Sequence, residues 1–311
     1  MKKRFRSGLK NFFDKIVYRY AFVNWILRNI NKKFSGFTSF RLRPYGIMKV
    51  RFKSGIEFKM LTNETSSVTK LLFWNGPENY EYTGIFESLL LRCRNFIDVG
   101  ANTGYYSLLA ATKNPGMHVF AFEPAAAPFH YLESNININH LKNAQAYPIA
   151  LSNSAGEIEF FEMENPKNYH SQYNLAGTGT LKGENVSDQG YNCRKVPTIS
   201  LDDWIQKQNL TNIDLIKIDT EGTEHLILQG ADQLLREQEP IIICETLFHV
   251  IEEQLDSIMQ RYNYHFFNYR NGQLHKASTL VRDTDNGFRD CFFVPSTKIK
   301  WVENFIQPES H

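Results

Sequence analysis

The stretch Phe96-Ile97-Asp98-Val99-Gly100-Ala101-Asn102-Thr103-Gly104-Tyr105-Tyr106 constrains this chain more than any other. A short apolar strand runs into a glycine-bearing turn, and a helix begins on the far side. Such a unit aims backbone N–H groups and a helix N-terminus at whatever ligand sits above the strand end. Gly100 and Gly104 carry no Cβ, so each can take a positive φ or let a ligand approach the backbone. Asn102 is among the few residue types that tolerate left-handed backbone, so the turn can still close there. In the dinucleotide frame G-x-G-x-x-G the positions would be Gly100, Asn102 and Tyr105. Tyr105 fits poorly where a glycine lets helix and strand pack closely. The Walker pattern is absent. Taken alone, the turn would also serve as a plain strand-to-helix connection.

Two later segments add chemistry. Met117-His118-Val119-Phe120-Ala121-Phe122 reads as a second buried strand ending in Glu123-Pro124. An acidic side chain roughly 20 positions past the turn, at the next strand's end, is placed to grip a ribose diol. A carboxylate can accept both hydroxyl hydrogens; the plainer reading is a solvated strand-end charge. The third segment, Ile213-Asp214-Leu215-Ile216-Lys217-Ile218-Asp219-Thr220-Glu221-Gly222-Thr223-Glu224, is a strand followed by carboxylates clustered around a glycine. In doubly wound sheets ligands bind at strand C-terminal ends. Thr220, Glu221 and Glu224 would equally suit the first turn of a helix.

Together these segments resemble the FkbM family of S-adenosylmethionine-dependent O-methyltransferases. The resemblance rests on FIDVGANTGYYSLLAA, VFAFEPAAAPFHYLESNININHL, AYPIALSNSAGEIEFF, VPTISLDDW and DLIKIDTEGTEHLILQGA, from about Tyr80 to Glu245. Thr103 stands where the family pattern more often has a branched aliphatic residue, and the stretch from about Glu164 to Asn192 matches poorly. The resemblance implies a class I methyltransferase: α/β, doubly wound, with a mostly parallel Rossmann-like sheet. It implies S-adenosyl-L-methionine as cofactor and transfer of its methyl group to an oxygen. Gly100, Asn102 and Gly104 would border the methionine and adenosine parts. Asp98 would orient the loop or accept from the amino group, and Glu123 would take the ribose hydroxyls. Ala150, Leu151 and Ser152 would flank the adenine. Asp219 and Glu221, where the fourth strand faces the sulfonium, would be the first candidates to take the acceptor proton, with His249 and His170 as further candidate bases. A metal is not expected, since it would require Asp219, Glu221, Glu224 and Glu245 to converge. The acceptor expected is a sugar hydroxyl of a glycan, glycolipid or nucleotide sugar. The alternatives are a non-sugar small molecule such as a polyketide, an NAD-dependent dehydrogenase that Tyr105 argues against, or an inactive membrane-bound scaffold.

The charge is unevenly placed. Residues 1–33 hold ten Lys or Arg and one Asp, a local +9, so the remainder is near −7 against a net +2. That net charge gives no overall field for nucleic acid. Phe5, Leu9, Phe12, Ile16, Tyr20, Val23, Leu27 and Ile30 recur at helical spacing, so the basic segment reads as an amphipathic helix. No apolar run is long enough to span a bilayer, and Asp14, Lys15 and Arg19 break any signal-peptide core. The helix would lie on anionic membrane, or pack on its own domain or a second subunit. Cys93, Cys193, Cys244 and Cys291 show no metal-site spacing and read as reduced thiols of a cytoplasmic protein.

Residues 1–78 are expected to form a basic helix plus a hairpin, and 79–311 the methyltransferase domain. Strands are expected near 95–99, 117–122, 144–149, 213–219 and 240–245, with helices near 103–112, 126–138, 222–236 and 250–261 and antiparallel strands near the end. The insertion near 164–192, rich in Asn, Gly, Ser, Thr and Tyr, reads as a substrate lid, the alternative being a mobile insertion. His170 and Tyr173 on it, with Glu224, would contact the acceptor.

Overall fold

The computed structural model describes residues 13–163, 175 and 191–308. Residues 1–12 and most of the insertion, with His170 and Tyr173, lie outside the described residues. Helix α1 (Ala21–Lys33) precedes a hairpin of β1 (Gly46–Arg51) and β2 (Glu57–Thr62). Helices α2 (Ser67–Asn75) and α3 (Thr83–Leu90) then lead to the first strand of the main sheet. The sequence reading omitted α2, although Ser66 ahead of an apolar run is a start signal. Its side chain accepts the Thr69 N–H at 3.3 Å.

From there strands and helices alternate. They are β3 (Asn95–Val99), α4 (Tyr105–Lys113), β4 (His118–Phe122), α5 (Ala126–Ile138) and β5 (Ala144–Tyr147). A side sheet follows, made of β6 (Ala150–Leu151), β7 (Gly156–Met163) and β8 (Tyr191–Ile199). Then come α6 (Leu201–Gln208), β9 (Ile213–Ile218), α7 (Glu224–Gln229), α8 (Asp232–Glu237), β10 (Ile241–Glu245) and α9 (Glu252–Met259). The end supplies β11 (Tyr264–Arg270), β12 (Gln273–Ala277) and β13 (Asp290–Pro295). The single helix expected over 222–236 is two, divided at Gly230. A Cβ on Gly230 would lie 2.5 Å from the Ser152 carbonyl oxygen, so the backbones meet there.

The main sheet has the order β12-β11-β13-β10-β9-β3-β4-β5. Strands β10, β9, β3, β4 and β5 run parallel, and β13, β11 and β12 antiparallel. The chain builds outward from β3 to β5 on one side and then resumes at β9 on the other. The order therefore reverses between β3 and β9, the position at which such sheets bind ligands. Ile97, Leu215, Ile216, Ile241 and Ile242 are fully buried, as expected for parallel strands covered on both faces.

The N-terminal extension shares this core. Met48, Val50, Phe58 and Met60 cluster with Leu108 and Leu109 of α4. Tyr105, the poor fit in the dinucleotide frame, packs its ring 6.2 Å from Phe58 and 5.1 Å from Tyr80. The outer edge of β2 is satisfied by side chains of α5. The Leu61 N–H donates to Asn135 Oδ1 at 2.6 Å and the Lys59 N–H to Asn139 Oδ1 at 2.7 Å. Asn135 also donates to the Thr103 carbonyl at 2.9 Å, which ties the hairpin to the glycine turn.

Candidate active site

In the sheet, Val99 of β3 lies opposite Ile218 of β9, so the two turns that follow these strands meet. Gly100 is dictated by that meeting. Its φ is +68°, and a Cβ there would sit 1.9 Å from the Asp219 carbonyl oxygen. Gly104 has φ +91°, and its Cβ would fall 2.6 Å from Leu132 Cδ1. Gly104 is thus required by packing against α5 and is not on the pocket wall, which corrects the expectation that it borders a ligand. Gly100→Ala should cost roughly 2–5 kcal/mol from left-handed strain plus overpacking. Thermal denaturation checks this.

A pocket opens above these turns. Its wall includes Gly100, Asn102, Glu123, Ala150, Leu151, Asp219 and Glu221, all singled out in the sequence. Ile149, Pro128 and Phe160 add apolar surface that the sequence reading did not single out.

Glu123 is 6% exposed at the end of β4. Its Oε2 accepts the Asn102 N–H at 2.8 Å and its Oε1 the Ala125 N–H at 2.8 Å. Each oxygen keeps a lone pair for another donor. Burial pushes this carboxyl up to about 7, against the pull of both N–H groups and of Lys217.

Below the pocket a buried pair, Lys217 and Asp98, meets the half-exposed Asp219 of the wall. Lys217 Nζ is 3.6 Å from Asp98 and 3.3 Å from Asp219, and it donates to the Gly100 carbonyl at 3.1 Å. Asp98 also accepts from Ser107 Oγ at 2.6 Å. Burial opposes the lysine charge, but Asp219, Asp98 and Glu81 outweigh it and raise its pKa above the ordinary value. Asp98 therefore holds the loop through Lys217, and it is not on the pocket wall. The sequence reading missed Lys217, although a lysine between Ile216 and Ile218 in a buried parallel strand is itself a signal.

Two expected contacts are corrected. Glu224 is fully buried. Its oxygens accept from the Thr220 N–H at 2.8 Å, the Thr220 hydroxyl at 3.1 Å and the Gly222 N–H at 3.0 Å. It closes the turn and has no side-chain surface left for an acceptor. His249 sits at φ +56° on the loop after β10, exposed, with its ring 4.1 Å from that of Phe248. It is not on the pocket wall.

Glu221 takes φ +59° in the turn that Glu224 fixes, a left-handed conformation uncommon for a non-glycine residue. Desolvation raises its pKa, and Asp219 and Glu224 push the same way. Asp219, Glu221 and Glu245 each bring an oxygen within 4.8 Å of the others. Of the four carboxylates considered for a metal, three gather and Glu224 stays engaged in its turn. Carboxylates this close repel one another when ionised, and Lys217 Nζ, 3.3 Å from Asp219, offsets part of that charge. Burial, then Asp219 and Glu221, raise the Glu245 carboxyl well above its ordinary value. Asp290, facing it across the β10–β13 pair, is pushed up to about 7 by burial, then by Glu81 and Asp219.

These raised carboxyls set a pH dependence. The folded state holds protons that the unfolded chain has already released, so stability should fall as pH rises from about 5 through 7 and beyond. Melting temperatures across that range should decline, and Glu245→Gln should flatten the decline.

Comparison with known proteins decides the family. The model of the methyltransferase FkbM domain matches residues 98–266, more than half of the chain. The chain belongs to the FkbM methyltransferase family. Among curated proteins it is similar to methyltransferase sdnD of Sordaria araneosa, 29% identical over 48% of this chain and 65% of that protein. It is also similar to 31-O-demethyl-FK506 methyltransferase FkbM of Streptomyces tacrolimicus, 28% identical over 43% of this chain and 58% of that protein. Hexuronic acid methyltransferase AglP of Haloferax volcanii is 29% identical over 47% of this chain and 53% of that protein. The matched stretch thus spans about half to two thirds of these FkbM-family relatives. Among solved structures, methyltransferase FkbM from Methylobacillus flagellatus KT superposes with a TM-score of 0.42 at 15% identity, over 73% of this chain and 52% of that one.

The cofactor of the family is S-adenosylmethionine. The residues of this pocket fit it: a buried carboxylate for a diol, apolar side chains for a purine, and Asp219 with Glu221 for positive charge.

Proposed function

We propose that this chain is an O-methyltransferase acting on a sugar hydroxyl of a glycan, glycolipid or nucleotide sugar. The observation that carries the reading is the meeting of Glu123 and Asp219 on one pocket wall, across the point where the strand order reverses. When bound, S-adenosylmethionine supplies a methyl group already activated on a sulfonium, so the protein has mainly to position and to exclude water. Glu123 holds the ribose hydroxyls. Leu151, Ile149 and Phe160 pack the purine. Asp219, with Lys217 Nζ 3.3 Å away, faces the positive end. The bound cofactor would supply its methyl group to the acceptor oxygen, and the hydroxyl proton would pass to Glu221. Its raised pKa and place on the pocket wall suit it to that task.

The oxygen acceptor is supported by the name of the Streptomyces relative, and the sugar by that of the Haloferax relative. The Streptomyces name equally supports a second reading, a non-sugar small molecule as acceptor. Mass spectrometry of glycans and lipids from cells with and without this protein tests both. The proposal expects one class of sugar to lose a single methylation mass. A loss confined to a non-sugar metabolite favours the second reading. With extract from the deficient cells as acceptor, Glu221→Gln should lower the rate of methyl transfer by about 10²–10⁴. S-adenosylmethionine binding, read by calorimetry, should stay near wild type.

A further inference from the structure

Helix α1 is inside out for a surface helix. Its buried residues are the polar Asn24 and Arg28. Arg28 donates to the Tyr45 carbonyl at 3.2 Å and the Ile47 carbonyl at 3.1 Å, and Asn24 accepts the Tyr45 N–H at 3.0 Å. These bonds fasten the helix to the start of β1. At 100° per residue, Phe22 and Ile30 fall on the opposite side, with Trp25 on the flank next to Phe22. Phe22 is 70% and Trp25 52% exposed, with their rings stacked 6.1 Å apart. The chain leaving the helix continues the surface with Phe34 and Phe37, the latter 91% exposed. Lys15, Arg19 and Lys33 of the same stretch are exposed.

We infer that this face docks on an anionic lipid bilayer. Exposed aromatic patches of this kind mark contact surfaces. Aromatic rings flanked by Lys and Arg match a membrane interface, with the rings at the headgroup boundary and the cations on acidic lipid. The charge selects the occupant. Lys15, Arg19 and Lys33 are exposed and residues 15–33 hold no acidic side chain, so a second copy would bring like charge to the same face. No helix among the described residues is long and apolar enough to cross a membrane, so the contact is peripheral. This docking is independent of the methyl-transfer reading.

The test uses the full chain and substitution rather than truncation, because removing residues 1–33 would also strip Asn24 and Arg28 from β1. Wild type and the double variant Phe22→Ser/Trp25→Ser are sedimented with phosphatidylcholine vesicles, with and without phosphatidylserine. Wild type should pellet with the anionic vesicles only, and less at high salt. The double variant should bind about tenfold more weakly or worse, with its melting temperature unchanged. A charge reversal at Lys15, Arg19 and Lys33 should have the same effect, and it decides the matter if the double variant folds poorly. Equal sedimentation of wild type and variants would overturn the inference. So would a protein that ignores anionic vesicles, including one whose light scattering shows a dimer that the double variant dissolves.

Discussion

Glu123→Gln should weaken S-adenosylmethionine binding by about 10- to 150-fold, the range that loss of a charge-assisted hydrogen bond of about 1.5–3 kcal/mol implies. The carboxylate accepts two backbone N–H groups, from Asn102 and Ala125, and keeps a lone pair on each oxygen for a diol. Glutamine has one acceptor oxygen, so an N–H group of the turn and one ribose hydroxyl both lose their partner. Removing a buried charge partly offsets the first loss, so the unliganded protein should melt within a few degrees of wild type. Binding should also depend on pH. The diol is gripped by the ionised form, and burial holds this carboxyl at about 7. Affinity should therefore rise as pH increases through 7 and level off above it, whereas in Glu123→Gln it should stay flat. Calorimetric titrations at several pH values check both.

Lys217→Met should be the most destabilising single substitution in the site. The ammonium is 3% exposed and lies between Asp98 and Asp219. Without it Asp98, 1% exposed, is left with the Ser107 hydroxyl and becomes an uncompensated buried charge. Breaking such a pair costs about 3–5 kcal/mol. For a chain of this size that is roughly a 10 °C fall in melting temperature. Adding Asp98→Asn to Lys217→Met should recover part of the loss, because the orphaned charge goes too. A double-mutant cycle by thermal denaturation measures the coupling. Additive losses would mean that the two groups do not stabilise one another.

The contrast between these residues shows what the sequence could reveal. Glu123 was legible because its position is local: a strand, a turn and the end of the next strand fix it relative to Gly100 and Asn102. Lys217 was not, because its partner Asp98 lies on a strand distant in sequence. Their meeting depends on β9 settling beside β3, which no local periodicity encodes. Glu221 and Glu224 share one acidic word, yet only Glu221 lines the pocket. The backbone at Glu221 and Gly222, with φ of +59° and +110°, turns one carboxylate to the wall and the other inward to cap the turn. The parallel strands and most helices could be read from apolar runs and turns. The edge strand β12 could not, since of its residues only Leu274 is buried. Periodicity predicted one helix through Phe5 to Ile30, but the described chain breaks at 18–20 before α1, and two polar residues hold that helix down.

S-adenosylmethionine is expected to sit above the turns that follow β3, β4 and β9. Hydrogen–deuterium exchange with and without the cofactor tests this most directly. Backbone amides in segments 99–104, 122–126 and 219–223 should gain protection together on its addition, and most of that gain should vanish in Glu123→Gln. Protection confined to other segments, or none at saturating cofactor, would contradict the claim.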